Sequence, residues 1–200
     1  MSLVREKLAR PLQSGEFEDL RGLVIDEQIE LERASLPNVD FSGSTFNAPL
    51  VLREAVFGGL AWFTACTFNA PVNFSSVAFL SDARFDQCRF SRVASFSGAQ
   101  FQGIACFDRS EFMDAAFLDH MTCYGNLSLD RTRFDGAASL QDSECFGGLW
   151  CNATVFAGRA DTRGLEVHGR TWLVGAATGE DTPAANRLLG SIRSYGYSWT

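Results

Sequence analysis

An acidic residue directly precedes one of the two histidines of the chain, and a tyrosine follows four residues later: Asp119, His120 and Tyr124. A carboxylate can orient an imidazole as a general base, and a phenol can donate a proton or offer a stacking surface. We therefore take these three as candidate catalytic residues, with Phe117 and Phe146 as candidate binding residues beside them. The alternative is a solvated surface histidine whose neighbours do not converge.

Three aspartates recur at one constant offset in the sequence: Asp86, Asp108 and Asp130. If this spacing brings them into one column of a repeated structure, like charges lie about 4.8 Å apart. A cation or a basic partner surface would relieve that repulsion, so the three are candidate binding residues. The alternative is structural, because Asp favours the start of a turn and Arg109 and Arg131 follow two of them.

Two tryptophans, Trp150 and Trp172, are separated by the same offset as the aspartates, and Trp62 shares their position within the repeat. Such a pair predicts an apolar ridge that either binds a partner or packs against a C-terminal helix.

Metal and cofactor chemistry finds little support in the sequence. The six cysteines include no CxxC pair and no Cys/His spacing typical of zinc sites. Cys66 and Cys88, like Cys123 and Cys145, replace apolar residues of the repeat, which favours inert buried thiols. No nucleophile elbow or phosphate loop is present either. We expect no metal and no cofactor, and we lean against an enzyme.

These candidates are positioned by an internal repeat in which a bulky or sulfur side chain returns at every eleventh position. The first series is Phe46, Phe57, Phe68, Phe79, Phe90, Phe101, Phe112, Cys123, Phe134, Cys145 and Phe156. A second series interleaves it: Leu52, Phe63, Phe74, Phe85, Phe96, Phe107, Leu118, Leu129, Leu140 and Cys151. We call these residues centres; they alternate between steps of six and five. A fixed short period means that each unit buries its apolar residue against neighbouring units.

A small residue lies two positions before almost every centre, as Ala55, Ala94 and Ala105 do. Centre and minus-two residue therefore face the same way, which is the alternation of a strand. Longer similarity sets the size of a coil, because Phe46-Asn-Ala-Pro and Phe68-Asn-Ala-Pro match at an offset of 22. Four units per coil predict a four-sided, parallel, right-handed β-solenoid. A two-sided coil of half this length is the structural alternative.

The tandem pattern in Ala94-Ser-Phe96, Ala99-Gln-Phe101 and Ala105-Cys-Phe107 resembles the pentapeptide-repeat proteins. The resemblance covers roughly residues 20–175, and the alternation of five with six is similar to a Phe-rich subgroup. It implies an all-β fold, the quadrilateral β-helix. It also implies a DNA mimic that binds type II topoisomerase, as in members that confer fluoroquinolone resistance through gyrase. A C-terminal helix that builds an end-to-end homodimer is implied as well.

Three regions follow from these patterns. Residues 1–19 are expected to form an N-terminal capping helix and turn, and residues 20–176 the repeat solenoid. Residues 177–200 are expected to contain a linker, a helix from Asp181 to about Ser194, and an aromatic tail. A capping element is needed because an uncovered terminal coil exposes unpaired strand edges.

Composition narrows the partners. The formal net charge is −7, with a single lysine, which disfavours direct binding to nucleic acid. No apolar run is long enough for a membrane span and the N-terminus lacks a signal core, so we expect a cytoplasmic protein without membrane association. From Pro37 onward the chain has sixteen acidic residues and twelve arginines, so its density of negative charge is low compared with that of DNA. The unbroken repeat also leaves no inserted loop that could contact a topoisomerase.

We therefore expect a non-enzymatic protein-interaction scaffold. A gyrase-binding DNA mimic is one alternative. The other is a small-molecule binder or enzyme that uses the surface cluster at residues 117–146.

Overall fold

A computed structural model of the chain describes residues 3–9, 16–179 and 190–200. Nearly every described residue belongs to a solenoid of short parallel strands separated by tight corners. Each strand pairs with the strands one coil before and one coil after it, except for the first and last strand of each sheet, and the strands stack into four sheets. We call these sheets walls 1 to 4, in the order in which the chain passes through them.

The strands of each wall are short, mostly two residues long. Wall 1 contains Phe17–Asp19, Asn38–Asp40, Ala61–Trp62, Ala83–Arg84, Ala105–Cys106, Leu127–Ser128, Leu149–Trp150, Thr171–Trp172 and Ser198–Trp199. Wall 2 contains Val24–Ile25, Thr45–Phe46, Thr67–Phe68, Arg89–Phe90, Glu111–Phe112, Arg133–Phe134, Val155–Phe156 and Ala177–Thr178. Wall 3 contains Ile29–Glu30, Leu50–Val51, Val72–Asn73, Ala94–Ser95, Ala116–Phe117, Ala138–Ser139 and Ala160–Asp161. Wall 4 contains Ser35–Leu36, Val56–Phe57, Ala78–Phe79, Gln100–Phe101, Thr122–Cys123, Glu144–Cys145, Glu166–Val167 and Arg193–Ser194.

The register confirms the four-sided coil and excludes the two-sided alternative. Phe68 pairs with Phe46 in the coil before it and with Phe90 in the coil after it, so the chain returns to the same wall at the predicted offset. The first coil is one residue shorter, since Ile25 pairs with Phe46.

Beyond the first coil, the register keeps its regular offset through the rest of the predicted repeat and changes only near the C-terminus, beyond the expected end of the solenoid at residue 176. Thr178 still pairs with Phe156 at the regular offset, but Val167 pairs with Ser194 at a larger one. Five extra residues therefore lie between Thr178 and Arg193.

The core is a set of stacked phenyl rings. On wall 2 six rings stack in one column, with neighbouring centroids 4.5–5.0 Å apart: Phe46, Phe68, Phe90, Phe112, Phe134 and Phe156. Every centre from Phe46 to Phe156 is buried, including Cys123 and Cys145. The minus-two residues named above are buried as well, so the predicted inside and outside positions are confirmed.

A column of hydroxyl and thiol side chains runs inside the corner between walls 1 and 2, at the positions two residues before the centres of wall 2. Ser110 donates a hydrogen bond to the Phe85 carbonyl oxygen at 2.5 Å, and Thr132 donates to the Phe107 oxygen at 2.7 Å. Cys88 makes the equivalent bond through its thiol. Each hydroxyl or thiol satisfies a buried backbone acceptor that would otherwise cost free energy. The buried cysteines of this column are therefore hydrogen-bond donors as well as small apolar residues.

The N-terminal end is covered by one helix, α1, at Leu3–Ala9. Its residues Val4 and Leu8 are buried in the core, and it packs against the wall 4 strand Ser35–Leu36. Lys7 also forms an ion pair with Glu18 at 3.4 Å. The expected turn after this helix falls at residues 10–15, outside the described residues. The solenoid begins at Phe17, before the expected boundary at residue 20.

The C-terminal region differs from the expectation of a linker, helix and aromatic tail. Ala177–Thr178 is a strand of wall 2, where a linker was expected. Most of the expected helix falls at residues 180–189, outside the described residues, and Gly190 and Ser191 are helical. Arg193–Ser194 and Ser198–Trp199 then form strands of walls 4 and 1. The helix therefore ends before Ser194, and the aromatic tail belongs to the last coil.

Candidate functional site: a groove on wall 1

The outer face of wall 1 changes from large to small residues and back again along the solenoid. Its outward column reads Trp62, Arg84, Cys106, Ser128 and Trp150, one residue per coil. Parallel in-register pairing stacks these side chains one coil apart, so two small residues between larger ones leave a depression.

The depression is a groove of about 270 Å³ on the outer face of wall 1. Cys106 and Ser128 lie at the middle of the wall, and the groove is bordered on its two corners by residues that include four polar side chains. The full lining is Asp82, Arg84, Ile104, Cys106, Asp108, Asn126, Ser128, Asp130 and Trp150. Two of the three predicted aspartates and one of the two predicted tryptophans therefore meet at one place.

The groove carboxylates are held by hydrogen bonds to the following coil. Asp108 Oδ1 accepts bonds from the Ser128 hydroxyl at 2.5 Å and from the Asp130 backbone amide at 3.1 Å. Asp130 accepts from the Asn152 amide at 2.8 Å and from its side chain at 3.1 Å. These bonds orient the carboxylates at the start of each turn, as the structural interpretation of the aspartates expects.

The structural alternative expected Arg109 and Arg131 to offset the charges of the aspartates before them, but the ion pairs are arranged differently. Asp86 is buried and pairs with Arg84 Nε at 3.0 Å, while Thr64 donates to the same oxygen. Within the described part of the chain, no ion pair joins Arg109 or Arg131 to the aspartate before it. The groove thus contains three carboxylates, at Asp82, Asp108 and Asp130, and a guanidinium that is already paired with a fourth carboxylate.

Trp150 forms the C-terminal end of the groove. One face of its ring stacks on Trp172 with centroids 5.7 Å apart, and Trp172 stacks in turn on Trp199 at 4.7 Å. The opposite face borders the groove, because the next residue down the column is Ser128. The indole Nε1 of Trp150 is buried without a hydrogen-bond partner among the described residues. Trp199 covers the end of the tryptophan ridge. Packing by the C-terminal helix was the alternative expectation, and most of that helix falls at residues 180–189, outside the described residues.

Cys106 is the only thiol that lines the groove within the described residues, and its exposure is 7%. Desolvation raises the pKa of the Cys106 thiol to about 11. The thiol is therefore protonated at neutral pH, and it lacks the thiolate form that a nucleophile requires.

Comparison with protein families identifies the repeat. The family model described as "Pentapeptide repeats (9 copies)" matches residues 31–78 and 52–100. These matches lie in the coils with the most regular Phe stacking, and the same register continues beyond them to Thr178. The chain contains pentapeptide repeats. Comparison of the sequence with curated proteins finds no match. In the described pentapeptide-repeat structure, no helix has the length and apolar character needed to cross a membrane.

The pentapeptide-repeat coil separates the three predicted catalytic residues. Asp119 and His120 lie at the corner between walls 3 and 4, with His120 Nε2 3.9 Å from Asp119 Oδ2. His120 has a φ of 55°, a value close to those of Ser76 and Asp142 at the same corner of other coils. Tyr124 lies at the next corner, between walls 4 and 1, and stacks on Phe146 at 5.3 Å.

Asp119 accepts a hydrogen bond from the Ser97 hydroxyl at 3.0 Å. Among the described residues, no hydrogen bond or ring contact joins Tyr124 to the Asp119–His120 pair, and Phe117 lies on wall 3. A catalytic role of the three residues stays a prediction, and the geometry gives it no added support.

Sequence reasoning missed that the pentapeptide-repeat register extends the Tyr124–Phe146 pair into a longer stack. His168 stacks on Phe146 at 5.0 Å, and Tyr195 stacks on His168 at 5.0 Å. His168 Nε2 also lies 2.9 Å from Glu144 Oε1. His168 could have been predicted as the third ring of the stack, because it follows Phe146 by one regular coil. Tyr195 could not, because the extra residues after Thr178 displace it from the regular spacing.

Proposed function

We propose that this chain is a non-enzymatic protein-interaction scaffold whose groove on wall 1 receives a cationic side chain of a protein partner. The observation that carries the proposal is the meeting of Asp108 and Asp130 with the open face of Trp150 in one groove. The family match and the repeat fold support a scaffold, and the identity of the partner rests on the chemistry of the groove.

The groove chemistry favours a guanidinium group. An arginine side chain can stack on an indole face and can donate hydrogen bonds to carboxylates at its edge. The groove carboxylates are half-buried, so an ion pair there is less screened by salt than a pair in open solvent. Arg84 forms its ion pair with Asp86, and among the described residues no ion pair joins a cationic side chain directly to Asp108 or Asp130.

The groove is poorly suited to nucleic acid, because its carboxylates repel phosphate groups. A rigid β-solenoid wall, in contrast, can present such a groove to an extended segment of a partner protein. The net charge of −7 supports the same choice, since it attracts basic partners during encounter.

Selection of peptides from a displayed random library tests the proposal. We expect the selected peptides to share at least one arginine or lysine. The double variant Asp108→Asn/Asp130→Asn should bind them at least tenfold more weakly, which corresponds to about 1.4 kcal/mol. Asparagine keeps the acceptor oxygen for Ser128 and Asn152, so the coil geometry should survive.

The matched control is Asp114→Asn/Asp142→Asn, which removes the same charge at two exposed positions outside the groove. Its affinity should stay within about twofold of the parent. Peptides without a basic residue, or equal losses in the two double variants, would contradict a groove that reads a cation.

A DNA mimic of type II topoisomerase is a less suitable alternative. DNA carries an unbroken line of negative charge, whereas the outer faces here alternate in sign: Arg33 pairs with Glu54 at 2.8 Å, and Arg89 pairs with Glu111. An assay of gyrase supercoiling distinguishes the two functions. Inhibition or protection at micromolar protein that survives Asp108→Asn/Asp130→Asn would favour mimicry over the groove.

A further inference from the structure

A second cluster of polar side chains lies on wall 4 near its C-terminal end, away from the groove. Glu144 and Glu166 occupy the same outward column in consecutive coils. His168 follows Glu166 by two residues and belongs to the neighbouring column, with the stacked rings Phe146 and Tyr195. Successive coils thus bring one imidazole and two carboxylates to one surface.

The donor atoms of this cluster are already close. His168 Nε2 lies 2.9 Å from Glu144 Oε1, and one atom each of Glu144, Glu166 and His168 lie within 4.8 Å of one another. Ligands that bind a tetrahedral metal at 2.0–2.1 Å are separated by about 3.3 Å. The His168–Glu144 separation is close to this value and no separation among the three atoms exceeds 4.8 Å, so small side-chain rotations would bring the three atoms to a common ion.

The imidazole of His168 is held in place by its neighbours. Its ring lies between Phe146 and Tyr195, with interplanar angles of 9° and 14°. Stacking covers both faces of the ring but leaves its edge open, and a metal binds a ring nitrogen in the plane of that edge. The side chain of His168 is 36% exposed and that of Glu144 is 42% exposed, so an ion can reach them from solvent.

We propose that Glu144, Glu166 and His168 form a site for a divalent transition-metal ion of the Zn²⁺ class. A mixed set of one imidazole and two carboxylates suits Zn²⁺, Co²⁺ or Ni²⁺ better than Ca²⁺ or Mg²⁺, which prefer oxygen ligands alone. Three ligands leave at least one coordination position for water or for a donor atom of a partner.

Arg193 also contacts this cluster, since its Nη1 lies 2.8 Å from Glu166 Oε1. A carboxylate has two oxygens, so Glu166 can keep Arg193 on Oε1 and turn Oε2 towards the ion. Arg193 then offsets part of the repulsion between Glu144 and Glu166, which stand one coil apart. The expectation of no metal site rested on cysteine spacing and did not consider residues that successive coils bring together.

The cysteines do not compete for the ion at this surface. All six are buried in the structure. Burial raises the pKa of Cys151 and of Cys106, so these thiols remain protonated at neutral pH. The exposed donor atoms of Glu144 and His168 are therefore more accessible to an ion than the buried thiols.

Titration of the full chain, purified without a histidine tag, with ZnCl₂ against a chromophoric zinc chelator tests the site. We expect one Zn²⁺ per chain. His168→Ala and the isosteric variant Glu144→Gln should each weaken binding at least tenfold, and far-UV circular dichroism should show that both remain folded. Co²⁺ in place of Zn²⁺ should give visible absorption bands that disappear in His168→Ala.

The chain offers a matched control, because its only other histidine is His120. His120→Ala should leave Zn²⁺ affinity within twofold of the parent. An absence of binding at 100 µM Zn²⁺, or an equal loss in His120→Ala and His168→Ala, would overturn the site. The variant Asp108→Asn/Asp130→Asn should bind Zn²⁺ normally, so this site and the groove fail or succeed separately.

Discussion

Side-chain size at each inward position decides how a coil fills its interior. Where the centre shrinks from Phe to Cys123 or Cys145, nearby minus-two residues grow to Met121, Leu127 and Leu149, and all five are buried. A close-packed interior tolerates such an exchange only if the total volume is kept. In the later coils these larger residues replace part of the phenyl volume that is lost at Cys123 and Cys145.

Loss of one stacked ring should be costly. Phe90 is fully buried, and its ring centroid lies 4.5 Å from that of Phe112. Phe90→Ala should lower the free energy of unfolding by about 3–5 kcal/mol, because it removes apolar burial and leaves a cavity. Urea denaturation followed by circular dichroism measures the change.

The control for this prediction is Phe117→Ala, since Phe117 is 40% exposed on wall 3. The same substitution there should cost less than about 1 kcal/mol. Equal losses at Phe90 and Phe117 would mean that the stacked column is not the source of stability.

Much of the residue-level organisation could be predicted from the sequence. Inward and outward positions follow from the alternation of centre and minus-two residues, and every centre from Phe46 to Phe156 is inside. The groove could be predicted only in part. Asp108, Asp130 and Trp150 were recognised by their spacing, but the depression depends on the small size of Cys106 and Ser128 between them.

At the scale of the coil, corners are set by backbone contact between successive turns. At the corner between walls 4 and 1, Gly125 and Gly147 stack so closely that a Cβ on Gly147 would lie 2.3 Å from the Gly125 carbonyl oxygen. Only glycine allows this approach. The tight corner places the aromatic column of Tyr124 and Phe146 beside it at the regular spacing of the coils.

A methyl group at this corner should force the coils apart. Gly147→Ala should destabilise the chain by about 1–3 kcal/mol, as overpacking of a close contact does. Thermal unfolding should show a lower midpoint.

Gly58→Ala provides the comparison, because a Cβ at Gly58 meets its nearest neighbour, the Leu36 oxygen, at 3.9 Å. That variant should stay within about 0.5 kcal/mol of the parent. If Gly147→Ala were equally harmless, close contact between the coils at this corner would be disproved.

The elements that could not be predicted lie where the repeat changes its length. Trp199 stacks on Trp172, and the two residues pair in register although the last coil is longer than the others. The regular period of the repeat does not reach Trp199, so the sequence pattern assigned it to a tail. A strand at the end of a solenoid forms because the preceding coil offers unpaired backbone groups. Local sequence carries little of that information, which is why a helix was expected to extend to Ser194.

At the scale of the whole molecule, the four walls are chemically different although they share one backbone. Wall 2 has the longest phenyl column behind it, wall 4 has the histidine and glutamate cluster, and wall 1 has the groove. In a solenoid each coil contacts only its neighbours, so a wall can change its outward residues without altering the others. Function in this molecule is therefore expected to belong to single walls, and wall 1 offers a concave surface of carboxylates and indole.

Nuclear magnetic resonance of the tryptophan indoles tests that claim most directly. The chain has four tryptophans, so four indole N–H signals can be assigned by substitution. Titration with an arginine-containing peptide selected on the protein should shift the Trp150 signal and leave that of Trp62 in place. The shift should be lost in Asp108→Asn/Asp130→Asn. A peptide that binds while the Trp150 signal stays unchanged, or that shifts it equally in the double variant, would contradict a cation-binding groove on wall 1.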